Sequence, residues 1–398
     1  MAERASLKET ATQAGSHTGR NPASEAAWEL TVEQREIRDL AKRFADERIA
    51  PKAAEWDREH HFPRELYTEM GELGLMGVCV PEAYDGTGAD YLAYALVLEE
   101  LSRADASVGV TLAVHLGAGM LPILNWGTEQ QKQRYVPPLA RGDEICAFAL
   151  TEPEAGSDAA SLRARAVDGR ITGTKQWITN GSYASTITVF AREPDGGISA
   201  FLVRSDAAGF AVTREEEKMG LNASSTADLV FDDTPGERLG PGGAGMRIAL
   251  STLDGGRIGI AAQAVGIAQA ALELATGYAK ERHAFGGPIG RFQAIQQKLA
   301  EMQTEIEAAR ALVWRAARLK VAGRPHTVEG AQAKLFASRV ARTQTGEALQ
   351  ILGGYGYTKE FPAERYYRDA KVTEIYEGTS EIQRLVIARA LLGEAAQA

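Results

Sequence analysis

Two changes of hydrophobic period, near residues 147 and 246, constrain the fold of this sequence more than any other feature. Up to residue 146 the spacing is helical. Ile37, Leu40 and Phe44 recur at i, i+3 and i+7, and Pro51 sets a stop for that helix. The stretch YLAYALVLEELSRADASVGVTLAVHLGAGMLPIL reads as one long run with little charged surface, hence well buried. From residue 147 the texture becomes that of strands. Asp168-Gly169 separates two alternating runs in ARAVDGRITGTKQWIT, a strong hairpin signal, and ISAFLV and ADLVFDD add β-rich segments. Beyond residue 246, Phe292, Ile295, Leu299, Met302 and Ile306 hold helical spacing over many turns, and AQAKLFASRVARTQTGEALQIL forms another helix. Four long helices with short connections point to a bundle. The expected fold class is α+β. Residues 1–28 form a mobile tail, 29–146 an N-terminal α-helical domain, 147–245 a middle antiparallel β domain, and 246–398 a C-terminal four-helix bundle domain.

Charge and composition narrow the partners. A net charge of −9 argues against non-specific nucleic-acid binding, so an anionic ligand needs locally placed cations or backbone N–H groups. No apolar run approaches the roughly 18 residues of a membrane span, so no membrane partner is expected. The first 28 residues are polar, contain acids and lack an apolar h-region, which points to a cytoplasmic protein. Cys79 and Cys146 lie far apart in apolar contexts and read as free buried thiols in a reducing compartment. His60-His61 reads as a surface pair, and no metal site is expected. GPGGAG (240–245) formally matches a dinucleotide fingerprint. It lacks a preceding strand, and Pro241 removes an N–H, so it reads as a connector.

Five short stretches ask for a chemical explanation: FALTEPEAGSD (148–158), KQWITNG (175–181), ERHAFGGPIG (281–290), QILGGYGY (350–357) and IYEGTSEIQR (375–384). Each also has an ordinary structural reading. A tryptophan at a strand end packs, a glycine pair after a helix caps it, and Arg282 complements a helix dipole. Glu377, just ahead of a helix, is either a helix-start acid or a base held against a substrate. Ser380 and Gln383 fit a capping box, which would leave Glu377 free.

Together and in this order these stretches resemble the acyl-CoA dehydrogenases, over about residues 31–395, and LDGGRIGIAAQAVGIAQAALELA is similar to the short-chain members. The resemblance implies an FAD enzyme that oxidises an acyl-CoA thioester to trans-2-enoyl-CoA. It further implies a homo-oligomer, usually a tetramer, that passes electrons to an electron-transferring flavoprotein. Carried over, Phe148, Leu150, Thr151, Gly156, Ser157, Trp177, Ile178 and Thr179 would line the flavin ring, with the two threonines at its polar edge. Arg282, Phe285 and Gln293 would reach the pyrophosphate and adenine of a neighbouring subunit's FAD. Gln350, Ile351, Gly353 and Gly354 would add backbone contacts there, and Thr379, Ser380 and Glu381 would touch FAD again. Asp254, Gly255, Gly256, Arg257, Tyr376 and Gly378 would lie by the substrate, with Ser157 at its thioester end.

Glu377 would then be the base that removes the α-proton while the β-hydrogen leaves as hydride to flavin N5. Its backbone N–H and a ribityl hydroxyl would polarise the thioester carbonyl. Some branched-chain members carry the base on the helix of residue 256, which is Gly here. Glu154 and Asn222 depart from the family pattern, where Gly and Arg are frequent. Thr111, Leu112, His115 and Gln263 would set the depth of the acyl pocket, unless His115 is simply a satisfied core histidine. Branched short-chain substrates are the nearest alternative. Acyl-CoA oxidases are usually much longer, and flavin monooxygenases on this fold lack the glutamate.

Overall fold

The structure, a computed structural model, describes residues 29–396; the expected tail at 1–28 lies outside them. Helix α1 (Val32–Phe44) opens on a capping box, in which Thr31 Oγ1 accepts from Gln34 N and Gln34 Oε1 accepts from Thr31 N. A π-turn carries it to Ile49, ahead of the expected stop at Pro51. Short helices α2 (Ala53–Glu59) and α3 (Arg64–Glu72) follow.

The expected single run from residue 91 is two helices, α4 (Tyr91–Ala104) and α5 (Ala106–Trp126). Asp105 breaks it by leaving the helical conformation and accepting from Ser107 N and Val108 N, so the next helix starts on its carboxylate. α5 and the later Gly245–Glu281 are in fact long and apolar enough to cross a membrane, contrary to expectation. Both are instead buried inside the protein, at 89% and 94% of their most apolar windows. Helix α6 (Glu129–Ala140) completes this part.

Strands follow: β1 (Cys146–Ala149), β2 (Arg165–Val167), β3 (Arg170–Thr179), β4 (Thr186–Arg192), β5 (Ile198–Arg204), β6 (Phe210–Glu215), β7 (Thr226–Pro235) and β8 (Glu237–Leu239). They form one sheet in the order β6-β7-β3-β2-β4-β5-β8, with β1 beside β4. The expected hairpin turn is present: Asp168 and Gly169 both take positive φ, the primed-turn geometry that matches strand twist. The sheet is antiparallel except where β1 and β2 each meet β4 in parallel.

Contrary to expectation a short strand, β8, does precede GPGGAG, but it is antiparallel to β5 rather than part of a βαβ unit, and residues 240–244 run as bends and turns into the next helix. Helix α7 (Gly245–Glu281) then leads through a small hairpin, β9 (His283–Ala284) with β10 (Gly287–Pro288), to α8 (Gln293–Val321) and α9 (Thr327–Leu352). The bundle therefore has three long helices. Its remaining members, α10 (Ala363–Val372) and α11 (Ser380–Leu392), are shorter. α7 packs on α9 and also on α4, and the helices of both ends of the chain share one apolar core. The sheet keeps a core of its own around Ile171, Phe201 and Phe231. α7 thus stands where both halves of the helical layer meet, and the site is built on it.

Candidate active site

Three glycines on the inward face of α7 each meet a different group. A Cβ at Gly255 would lie 3.0 Å from Tyr91 Oη, at Gly256 2.5 Å from Glu377 Oε2, and at Gly259 3.4 Å from Tyr94 Oη. The absence of side chains lets the Glu377 carboxylate rest on the helix backbone. Tyr94 stands about one turn, roughly 5.4 Å, further along.

Glu377 and Gly378 take φ of 52° and 86°, a left-handed turn that an acid adopts only when its surroundings hold it there. The expected Ser380 cap is not what frees Glu377. Thr379 is the N-cap, its Oγ1 accepting from Ile382 N, and Ser380 N donates to Glu374 O. Gln383 donates through Nε2 to Glu377 O and Gly378 O instead of closing a capping box. The conclusion survives by another route, since the cap is the Thr379 hydroxyl, two residues beyond the acid.

Oε2 of Glu377 is shielded from solvent and has no hydrogen-bond partner. Burial pushes this carboxyl up to about 7, against the lowering influence of Lys334 and Arg257. Neither cation pairs with it: Arg257 is bound to Asp254, and Lys334 Nζ donates to Gly378 O at 2.7 Å. Tyr376 Oη donates to Gln263 Oε1, while Gln263 Nε2 holds Ala106 O. Asp254, Gly255, Gly256, Arg257, Tyr376, Glu377 and Gly378 are therefore brought together as expected.

A second grouping lies on the sheet. β3 slips register against β7 between Lys175 and Ile178, and Trp177 at the slip takes φ of 58°. Such a bulge re-aims a side chain, and the indole stands 56% exposed. Gln176 N donates to Thr151 O, so this strand end and the 148–158 segment are one unit. The segment is fastened from below by a buried pair not anticipated from sequence. Lys175 Nζ donates to Glu152 Oε1 and Leu150 O, and Glu152 also accepts from Arg163 N and Ala164 N. Gly156 and Ser157 are exposed, and a Cβ at Gly156 would meet open space, so the protein's own packing does not demand glycine there. Glu154 is exposed on the turn beside them. Asn222 lies elsewhere, donating to Asp57.

A third grouping is a cleft of about 560 Å³ lined by Tyr278, Arg282, Ile289, Ile351 to Tyr355, Thr358 and the acidic Glu360. Arg282 caps α7 and lies over the Tyr355 ring at 5.7 Å. Gly353 caps α9, so both ordinary readings are true and both residues still face the cleft. Gln293 and Gln350 are exposed nearby in sequence, and Phe285 is 90% exposed with φ of 52°. Thr379 and Glu381 belong to the start of α11, not to this cleft.

His115 is a core histidine. Nδ1 accepts from Cys146 N, Nε2 donates to Leu139 O, and burial pushes its pKa down to about 3. Both cysteines are free, and the described residues hold no group of three or more potential metal ligands.

The acyl-CoA dehydrogenase N-terminal, middle and C-terminal domains match residues 31–143, 147–234 and 243–392. The mitochondrial short-chain specific acyl-CoA dehydrogenase of Bos taurus is 52% identical, over 92% of this chain and 91% of its own. An acyl-CoA dehydrogenase of Bacillus subtilis is 50% identical, over 92% of this chain and 99% of its own. Among solved structures, butyryl-CoA dehydrogenase from Megasphaera elsdenii superimposes with a TM-score of 0.89 at 44% identity, covering 92% of this chain and 99% of that one. A chain from the structure of the electron transferring flavoprotein of Acidaminococcus fermentans gives 0.91 at 48%, with the same coverage. With all three domains matched in order and half of the residues shared, this chain belongs to the acyl-CoA dehydrogenase family, whose cofactor is FAD.

Proposed function

We propose that the protein dehydrogenates short-chain, butyryl-type acyl-CoA thioesters, with Glu377 as the base that takes the α-proton. One observation carries this reading: a shielded, unpartnered Oε2, raised to about 7, resting on Gly256. A carboxylate with no protein donor on its buried oxygen is available to a ligand's proton, and a value near neutral suits a general base. The Glu377 backbone N–H donates to no protein acceptor among the described residues, so it is free to polarise the thioester carbonyl. FAD would supply the hydride acceptor for the β-hydrogen, so that loss of the α-proton to Glu377 would leave the 2-enoyl double bond. Trp177, Thr151 and Thr179 would present the flavin ring to that slot. The Arg282 cleft would hold the pyrophosphate of a neighbouring subunit's FAD, which calls for a homo-oligomer such as a tetramer. The electrons would leave to an electron-transferring flavoprotein.

Tyr94 supports a short chain, since its hydroxyl stands against Gly259 and donates to Ala113 O, closing α7's face about one turn beyond the base. The test is an anaerobic titration of the yellow protein with butyryl-CoA. Prompt bleaching of the visible band is expected, and octanoyl-CoA should bleach it far more slowly. Because the base acts ionised, the rate should rise with pH through about 7 and level above it. A flavin left oxidised by straight and branched short acyl-CoAs alike would reject the reading.

Gly256→Ala provides a further check. Alanine suits a helix interior better than glycine, so folding is expected to be intact. Its Cβ would displace the carboxylate, and a misplacement of that order lowers turnover by about 10²-fold. Wild-type turnover would show that Glu377 does not work from this position.

A further inference from the structure

Lys334 is the one charged side chain that the reaction scheme above leaves without a role and that touches the catalytic turn. It lies on α9, is fully buried, and makes a single hydrogen bond, Nζ to Gly378 O at 2.7 Å. Among the described residues no carboxylate is ion-paired with it, and Glu374 is taken by Arg342 and Lys371. A buried ammonium without an ion-pair partner is expensive to keep, so its place needs a reason. Gly378 O also accepts from Gln383 Nε2 at 2.8 Å, and the two donors together use both lone pairs of that carbonyl. The turn they grip is the left-handed Glu377–Gly378 pair, whose conformation decides where the carboxylate points.

We propose that Lys334 is a positioning residue for the base: its ammonium fixes the Glu377–Gly378 turn through the Gly378 carbonyl and stands as the buried counter-charge to the Glu377 carboxylate. This rests on Glu377 being the base. The other groups acting on the pair are few. From α7, Arg257, itself ion-paired with Asp254, adds a second positive charge that also lowers the Glu377 carboxyl, and from α8 Lys320 Nζ lies 3.1 Å from where a Cβ on Gly255 would stand. From α4, Tyr91 and Tyr94 feel the Glu377 charge, and both phenols are pushed well up by burial. Glu374 and Glu381 act on Lys334 more weakly than Glu377 does. Of the two cations that lower the Glu377 carboxyl, Lys334 acts the more strongly, and it also holds the turn through Gly378 O.

The charge and the hydrogen bond can be separated with three variants of the holoenzyme. Lys334→Met removes both, Lys334→Gln retains a donor, and Lys334→Arg retains the charge. Two readouts are followed against pH: anaerobic flavin reduction by butyryl-CoA, and the infrared carboxyl band of Glu377, assigned by its loss in Glu377→Gln. In Lys334→Met and Lys334→Gln the midpoint should move up by about one pH unit or more, with reduction at pH 7 slower by about tenfold or more. Lys334→Arg should keep the wild-type midpoint. Slower turnover with an unmoved midpoint in both Lys334→Met and Lys334→Gln would overturn the proposal, because a merely structural lysine predicts that result. Should Lys334→Met fail to fold, the contrast between Lys334→Gln and Lys334→Arg decides. If the wild type is not reduced by any acyl-CoA, the functional reading fails by itself; the infrared midpoint still judges Lys334.

Discussion

Glu377→Gln is expected to bind FAD and butyryl-CoA, stay yellow, and lose flavin reduction by at least about 10³-fold. The substitution keeps the shape of the side chain and removes only its capacity to accept a proton. Stability should change little or rise, because the wild-type carboxyl is held in a shielded place that pushes it up to about 7. Folding it ionised at neutral pH therefore opposes stability, and an amide does not carry that penalty. The discriminating measurement is stopped-flow bleaching with saturating butyryl-CoA, beside a binding titration that shows the ligand in place. A rate within a few-fold of wild type would require another base. Among the described residues no other carboxylate rests on α7's glycine face, since Asp254 is tied to Arg257 and Thr327. Because the base is removed, the remaining slow bleaching should also lose its rise through about pH 7.

Much of this site was legible because its markers are backbone demands written as residue types. The left-handed Asp168-Gly169 turn could be named in advance from its residue types, whereas Gly256 was named through the family resemblance and its close approach to Glu377 is what the structure adds. Glu377 stood out because an acid before a glycine at a helix start has two readings, and the structure gives the cap to Thr379 while leaving Glu377 Oε2 without a partner. What stayed hidden is long-range. Lys334 shares a face with Gly330, Ser338 and Ala341, all of them small and buried, and a lysine in that register is a signal of a buried cation. Read alone, it passes for the solvated side of an amphipathic helix. Asp105 looked like one more polar residue in an apolar run, yet a residue that caps well can end one helix and begin the next. The bulge at Trp177 is set by its register with β7, fifty residues on, and no local spacing reports it.

The buried pair beneath the 148–158 segment supplies the second large effect. Lys175 is wholly buried, and Glu152 is 4% exposed. Burial draws the lysine down to about 8. It would raise the glutamate, but Lys175 and the N–H groups of Arg163 and Ala164 outweigh that and hold the carboxyl below its usual range. Lys175→Met strips the ammonium from a carboxylate that stays behind and orphans Leu150 O as well. Breaking one side of such a pair costs about 3–5 kcal/mol; the two backbone donors remaining on Glu152 favour the lower end, about 3 kcal/mol. Replacing both partners with apolar residues gives no escape here, because Arg163 N, Ala164 N and Leu150 O would all lose their partners. The segment so loosened carries Thr151 and is bonded to the strand end of Trp177, so flavin retention should fall together with stability. Urea unfolding of Lys175→Met should show a lower midpoint at an unchanged slope, and gel filtration should release FAD that the wild type keeps. A midpoint within about 1 kcal/mol of wild type with full flavin would mean that the backbone bonds alone hold the segment, and that the lysine adds only charge balance.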